Sequence, residues 1–589
     1  MIVPMKKVAV IIQAKDADSC LKTLRRLGVL HVEHQQLPRG SDISLLQDDL
    51  ALISQAMAIL SASGYSQKQP GRGNKTLKDW KFTAQHIIDA HKRIERLDEY
   101  SRSMQNSINQ WQAWGDFQPE ILGDLAKENI YIRFYSIPVK QVKEFPRDVI
   151  VKRISTVRGV AYCAVVSQGK VEIPFKEALL PKMGLSQMRA RLTEDMQIMQ
   201  LIKEDIRSHT TLQTDFLRIK KDIQVQLEFQ EALRGMGVAD EIMYLRGYIP
   251  YDKISPLQQA AVRERWGIMI KDPADEDGVP TLIRNPRWVA IISPIFKMIE
   301  VVPGYREFDI SLWVLIFLSV FFGMLIGDAA YGAIFLSLTF LAQNKWGHKV
   351  SSKSIFMLLY LFSFCAIAWG VLSGTFFGQE WLPKTIQPLM PALRDSRNIQ
   401  VFCFALGALH LSIAHLWRAI VKAPSLTVLS ELGWVSVLWG AFFLAKALIL
   451  GDIFPEPAKW FFIVGPFLVV FFTSIKKNVF KGIGQGLGNL FLNLVNSFTD
   501  VVSYIRLFAV GLATVVVADS FNRMAMDVGF GSILTGALTV LILFLGHALN
   551  ILLGSMAVLV HGVRLNVLEF CNHIDVKWSG FSYKPLQEV

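Results

Sequence analysis

The chain has 589 residues, 51% of them hydrophobic and 19% charged, with a formal net charge of +12 and a mean hydropathy of +0.32. That hydropathy is too high for a wholly water-soluble protein, and five scattered cysteines, odd in number and without a C-x-x-C pair, support neither a disulfide framework nor a zinc site. The positive charge falls beside apolar segments and on long helical stretches, so no nucleic-acid partner is expected.

The N-terminal stretch "MIVPMKKVAVIIQAKDADSC" has no charged region followed by a long apolar run, so no cleaved secretory signal is expected and residues 1–300 are assigned to the cytoplasm. Near the start, "KKVAVIIQ" and "GVLHVEHQ" have β-branched strand character, and "DADSCLKTLRRLG" between them reads as a helix ended by glycine. Later, "NIYIRFYSIP", "VAYCAVVS" and "EIMYLRGYIP" repeat the strand signal. The pattern predicts small α/β lobes and no parallel nucleotide-binding sheet.

Heptad spacing marks the helical parts. Ala90, Ile94, Leu97, Ser101, Met104, Ile108 and Trp111 alternate steps of four and three, as do Leu212, Phe216, Ile219 and Ile223 after Leu192, Met196 and Met199. Such a seam asks for a partner helix, and two arms separated by a small lobe predict an antiparallel coiled-coil hairpin; an ordinary bundle core is the alternative. "GRGNKTL" lacks the spacing of a phosphate-binding loop. "KGIGQGLGN" follows no strand and fits no G-x-G-x-x-G register, so its glycines read as a flexible entry to the next apolar segment. No nucleotide site is expected on this chain.

From Ile310 onward, apolar runs recur at the length that crosses about 30 Å of hydrocarbon as helix. Eight spans are predicted, near 309–327, 328–343, 354–376, 399–420, 430–450, 458–475, 488–522 and 530–568. The predicted fold is therefore mixed: α/β lobes joined by a long antiparallel helical hairpin over 1–300, then an all-α polytopic membrane domain over 301–589. With the first half inside, the inner loops "NKWGHKVSSK", "WRAIVKAPS" and "IKKNVFKG" carry lysine or arginine. The outer loops "GDIFPEP" and "DSFNRMAMDVG" are neutral to acidic, and the segment 381–398 is mixed. This distribution follows the positive-inside rule and places both termini in the cytoplasm.

The last two spans are too long for an upright crossing: 35–39 residues at about 1.5 Å each exceed about 50 Å, so strong tilt is predicted. They also hold the ionisable residues. Arg506 lies in the seventh, with Ser503 one turn earlier and Asp500 near its start. The eighth carries His547, Asn550, His561, Arg564 and Glu569, which at 100° per residue share a sector about 140° wide. A polar face on a membrane helix should meet protein or water. Arg564 and Glu569 can also be read as snorkelling to the headgroups, and His547 or His561 as packing histidines. Arg506 is harder to dismiss. Asp500 is the nearest carboxylate along the helix but points almost the opposite way, so the expected counter-ion belongs to another chain.

"SYIRLFAVGLA" (503–513) resembles the signature of the large membrane subunit of V/A-type rotary ATPases, subunit a or subunit I. "HGVRLNVLEF" (561–570) is similar to that family's second arginine motif, with a glutamate five residues after the arginine. "FFGMLIGDAAYG" (321–332) and "LSGTFFGQEW" (372–381) match its first-hairpin motif and a glycine-aromatic turn. "FCFALGALHLSIAHLWRAI" resembles its fourth-span pattern and "FSYKPL" its C-terminal ending. The likeness covers nearly the whole chain. It departs after "GYREFD", where "ISLWV" follows at once in place of proline-rich polar sequence, and in the polar tail "KPLQEV"; neither touches the arginine motifs. The lack of large insertions suggests a bacterial or archaeal cell membrane.

The resemblance implies the static half of an ion turbine, which carries H⁺ or Na⁺, needs no cofactor or metal, and binds no ATP itself. A ring of c-type (proteolipid) subunits, each with an essential carboxylate, turns against the two long helices. Ions enter by one half-channel and leave by the other. Arg506 is expected to pair with each arriving carboxylate, with Arg564 auxiliary. Glu569, His561, His547, Asn550, Ser503 and Asp500 are half-channel candidates. The helical arm is expected to bind peripheral-stalk (E/G-type) subunits and central-stalk-associated subunits. A secondary transporter is the rival reading, but no internal repeats support it. A membrane-anchored coiled-coil scaffold is a third, and it leaves Arg506 unexplained.

Overall fold

The computed structural model describes residues 1–62, 79–348, 350, 352–378, 389–473 and 479–588. The "GRGNKTL" stretch, residues 381–388 of the loop 381–398 and part of "IKKNVFKG" lie outside the described residues. The chain forms two compact units.

One unit comprises Val10–Gly28, Val32–Arg246 and Leu586–Val589. Helix α1 (Ala17–Leu27) buries Ala17, Cys20, Leu21 and Leu24, one face at helical spacing, and ends at Gly28 in the left-handed conformation. Helices α2 (Ser41–Ser61) and α3 (Trp80–Trp111) precede the short α4 (Pro119–Lys127). A three-stranded antiparallel sheet follows, with β4 (Ile150–Val157) and β3 (Ile130–Pro138) on either side of β5 (Val160–Gln168). Alternation puts Phe134 and Ala164 against Trp111 and Trp114, while Tyr135 and Cys163 face Phe145. Helices α5 (Leu185–Ser208) and α6 (Gln213–Arg234) complete the unit.

The seam predicted on α3 points inward along its whole length: Ile94, Ser101, Met104, Ile108 and Trp111 are buried, and Ala90 and Leu97 half-buried. Met104 and Ile108 pack on Leu185 and Met188 of α5, and Ile87 and Ile88 share a core with Ile53 of α2, Ile206 of α5 and Phe216 and Ile223 of α6. On α5 the register differs from the predicted one. Met196 is exposed, and the inward positions are Leu185, Met188, Leu192, Asp195, Met199, Ile202 and Ile206. The apolar Met196 looked like the seam residue. The heptad instead places Asp195 there, 1% exposed beside Arg191 at 3.3 Å.

The other unit comprises Met1–Ala9, Val29–His31 and Gly247–Pro585. Strands β1 (Met5–Gln13), β2 (His31–Glu33) and β7 (Ile242–Pro250), each partly in this unit, and β8 (Gly267–Lys271), wholly in it, are ordered β2-β7-β1-β8, while β6 (Gly237–Ala239) of the first unit pairs with the first-unit end of β7. Met5, Tyr248 and Val279 form a small core here. Helices α7 (Ile254–Glu264) and α8 (Ser293–Met298) lead to the apolar helices.

Those are α9 (Ser311–Ile326), α10 (Ala329–Trp346), α11 (Ser354–Ser373), α12 (Ser396–Lys422), α13 (Val428–Leu450) and α14 (Lys459–Phe472). After them come α15 (Val479–Ser503), α16 (Ile505–Val528), α17 (Ile533–Ala557) and the terminal turn α18 (Cys571–Ile574). Six described helices are long and apolar enough to cross a membrane, Ser41–Ser61 among them. That helix, α2, lends its apolar side to the bundle of the first unit. The first two predicted spans, α9 and α10, are bent by 119° across a short break, the geometry of a broken span or re-entrant pair. The glycines at 482–488, expected in a flexible entry, lie within α15.

The break has a local cause. Gly327 sits at φ +67°, ending α9 in the left-handed conformation, and the Asp328 carboxylate caps α10 by accepting from the backbone N–H groups of Ala330 and Tyr331. Gly370 of α11 passes so close that a Cβ there would lie 2.0 Å from the Ala329 nitrogen. These contacts account for "GDAAYG" and for the small residue opposite it. The C-terminal "FSYKPL" has an equally local reason: Phe581 and Tyr583 bracket Thr281 with backbone hydrogen bonds of 2.8 and 3.0 Å, and the Tyr583 hydroxyl donates to the Val29 carbonyl.

The two longest candidate spans run Leu490–Val528 and Ile533–Ile574, 39 and 42 residues. At about 1.5 Å per residue each reaches roughly 60 Å, so both exceed the predicted over-length.

Candidate functional site

Arg506 is the second residue of α16, just past a break in the helix at Tyr504. One guanidinium nitrogen lies 3.2 Å from Oε1 of Glu569, and another donates to the Ser503 hydroxyl at 3.2 Å. The same Glu569 oxygen is 3.5 Å from Nε of Arg564. Glu569 is 5% exposed at its side chain, whereas Arg506 is 30% and Arg564 52% exposed.

This overturns the expectation that Arg506 has no counter-ion in its own chain. The partner lies 63 residues later in sequence, on the returning helix, and only tertiary packing reveals it. The backbone helps to aim it. Residues Val558–Gly562 and Leu565–Phe570 are π-helical, so the uniform 100° step assumed for the polar sector fails along this stretch. The predicted single stripe is divided between two networks, and His561, half-buried in the first π turn, joins the hydrogen bonds of neither.

The second network surrounds His547 and Asn550. The Tyr331 hydroxyl is 2.7 Å from Nδ1 of His547, and Nε2 of that ring is 3.1 Å from Oδ1 of Asn522. Asn550 donates to the Tyr331 hydroxyl at 2.9 Å and to the Thr514 carbonyl at 2.8 Å, and Asn522 donates to the Phe377 carbonyl. Asp328 adjoins through the backbone N–H of Tyr331, and its other oxygen accepts from Gly378 N–H at 2.9 Å. Tyr331, Asp328 and Asn522 were missed in the sequence. Asp328, an isolated carboxylate inside an apolar run, was the available signal.

Asp500 belongs to a third group. Its Oδ2 is 3.1 Å from Nε2 of His573, whose Nδ1 is 2.9 Å from Nε2 of His415, whose Nδ1 is 2.7 Å from Oε2 of Glu431. Arg418 and Lys422 approach the other Glu431 oxygen at 3.3 and 2.5 Å. Asp500, His573 and His415 border a cavity of about 450 Å³ that Asn493 and Ser497 also line. His415, Glu431 and His573 were missed as well, because their partners lie on four different helices.

Two guanidiniums share one carboxylate on helices that are long and apolar enough to cross a membrane, with two polar networks beside them. Comparison with known proteins decides the assembly. No family model matches the chain. The V-type ATP synthase subunit I of Borreliella burgdorferi is 32% identical over 627 aligned positions, covering all of this chain and all of that protein. The chain belongs to the subunit I family of V/A-type ATP synthases. The V-type ATP synthase subunit I 1 of Treponema pallidum is 29% identical with the same full coverage. The A-type ATP synthase subunit I of Methanocaldococcus jannaschii is 23% identical over 60% of this chain and 56% of its own. As a subunit I, this chain is a non-catalytic membrane component of a rotary ATPase complex.

Proposed function

We propose that this subunit I is the static partner of a rotating ring of c-type subunits, coupling H⁺ or Na⁺ movement to ATP hydrolysis or synthesis in other subunits, with Arg506 as the group that meets each ring carboxylate. The observation that carries this reading is a charge imbalance. Arg506 and Arg564 contribute two positive charges and Glu569 one negative charge, which leaves +1 in an apolar setting. One further carboxylate balances it. Both guanidiniums keep exposed surface while Glu569 is buried, so the side open to a partner is the cationic one.

Arginine suits the role because it stays protonated when partly desolvated and does not relay the ion it displaces. A carboxylate within about 4–6 Å of it is favoured in its ionised form, which drives ion release. Helix α17 supports the ring-facing assignment: Leu541, Phe544, Leu545, Leu552 and Met556 are all at least half exposed. The His547–Tyr331–Asn550 network and the Asp500–His573 cavity are the two half-channel candidates, on opposite sides of Arg506 along the helices. The α2, α3, α5 and α6 bundle in residues 1–300 is assigned to peripheral-stalk (E/G-type) and central-stalk-associated subunits, with residues 301–589 as the translocation domain and both termini cytoplasmic.

The test is Arg506→Ala in the reconstituted complex. Coupled ion transport is abolished while assembly is retained. Pumping at the wild-type rate in an assembled complex refutes the stator reading.

A further inference from the structure

The chain Glu431–His415–His573–Asp500 has a property that hydrogen counting exposes. It contains three links, of 2.7, 2.9 and 3.1 Å, between groups that are acceptors unless a proton lies between them. Each link therefore holds one hydrogen. Two neutral imidazoles supply two. With both carboxylates ionised the third link needs one proton more, and a fourth hydrogen would set two donors against each other.

We infer that the His415–His573 pair, bridging Glu431 and Asp500, holds one excess proton and serves as a proton relay, so that the ion carried through this half of the protein is H⁺. This rests on the stator reading given above. The proton has four places that keep every link intact, one of them the Glu431 carboxylate at the anchored end, and the other three form the relay. On His573, Nδ1–H donates to His415 and Nε2–H to Asp500. Moved from Nδ1 of His573 to Nε2 of His415, it leaves His573 neutral and still donating to Asp500. Moved from Nε2 of His573 to Oδ2 of Asp500, it leaves both rings neutral and Asp500 as the donor. No bond to carbon or nitrogen other than N–H and O–H changes, and charge is conserved in each step. Spacings of 2.7–3.1 Å leave no room for a sodium ion between these groups.

The surroundings favour one proton in this place. Arg418 and Lys422 pair with Glu431 in addition to His415, so their positive charge anchors that end and repels the mobile proton toward the other. Arg418 also donates to the His573 carbonyl at 3.0 Å, fixing that turn. Among the described residues the same helices also carry His410, hydrogen-bonded to Tyr504, the Arg506–Glu569–Arg564 cluster, Cys403 and Cys571, and farther along them Arg397, Lys446, Asp519, Arg523 and Asp527. Asp500 is the exposed end of the chain, at 20%, and it stands six residues before Arg506 on the same span. His415, His573 and Asp500 all border the 450 Å³ cavity, where water exchanges protons with the relay.

The test uses the assembled complex in proteoliposomes, with a ΔpH-sensitive dye and ²²Na⁺ read in parallel. ATP-driven acidification without ²²Na⁺ accumulation is expected. His573→Gln, which keeps a hydrogen-bonding group but cannot pass a proton through, lowers the acidification rate at least about tenfold, and added imidazole restores part of it. Arg506→Ala is inactive and imidazole does not restore it. His573→Gln at the wild-type rate, a loss that imidazole does not relieve, or ²²Na⁺ accumulation overturns the relay while an inactive Arg506→Ala leaves the stator reading standing. If Arg506→Ala pumps, the stator reading falls with it. Should His573→Gln fail to assemble, ¹⁵N spectra of the wild-type histidines decide: one imidazolium shared across the pair supports the relay, and two neutral imidazoles refute it.

Discussion

Glu569→Gln isolates the term that sets the charge of the site. Removing the carboxylate changes the local sum from +1 to +2, since Arg506 and Arg564 remain. At 3.2 Å and an effective dielectric near 20, the Arg506 attraction lost is about 5 kcal/mol, and the Arg564 term at 3.5 Å is of similar size. Solvent at two partly exposed guanidiniums screens much of this, so a net effect of about 1.5–3 kcal/mol is the reasonable scale. Its sign on transport follows from competition. Glu569 and the ring carboxylate draw on the same Arg506, and without Glu569 the ring carboxylate is held more tightly and leaves more slowly. By the factor of ten per 1.4 kcal/mol, ATP-driven transport in proteoliposomes falls roughly 10- to 100-fold, while detergent-solubilised complexes keep their subunit composition. Glu569→Gln complexes that pump as fast as wild type would show that Glu569 does not restrain Arg506.

Arg564→Ala is expected to impair transport less completely than Arg506→Ala, because Arg564 is the more exposed and the more distant from Glu569; an equal or larger loss in the same assay reverses the ranking. Glu307→Ala removes the acceptor for the Gly304, Lys577 and Trp578 backbone N–H groups and the Ser579 hydroxyl. It should cost about 2–4 kcal/mol and raise amide exchange over 577–583, read by hydrogen exchange with mass spectrometry. A third case concerns acid. The hydrogen bond from the Lys7 ammonium, then that from the Ala274 N–H, holds the Asp277 carboxyl below its ordinary value. Its contribution is full above the ordinary carboxylate value and disappears as pH falls through the lowered one. Asp277→Asn therefore differs from wild type in thermal midpoint at neutral pH, and the difference vanishes in strong acid; a gap that persists there contradicts the assignment.

Much of the molecule was legible where physics is local. Seam residues of α3 such as Ile94 and Ile108 repeat at a helical period whatever they pack against, and the apolar runs after Ile310 advertise their length. Arg506 stood out because charge in hydrocarbon is costly wherever its partner lies. What stayed hidden depends on which helices meet. Glu569 was visible as a candidate but not as the Arg506 counter-ion, because the pairing spans 63 residues and passes through two π-helical segments that no composition rule announces. Asp195 was hidden by Met196 beside it, since hydrophobicity outvoted register. His415, Glu431 and His573 each look like an isolated polar residue, and only the fold turns them into one hydrogen-bonded row.

The central claim is that Arg506 meets a carboxylate carried by another chain. It is tested most directly by replacing Arg506 and the essential ring carboxylate with cysteines and oxidising the assembled complex. The account predicts a disulfide between subunit I and one ring subunit that forms on oxidation and is lost on reduction. A complex in which Cys at 506 does not cross-link, while Cys at 564 does so readily, would contradict it.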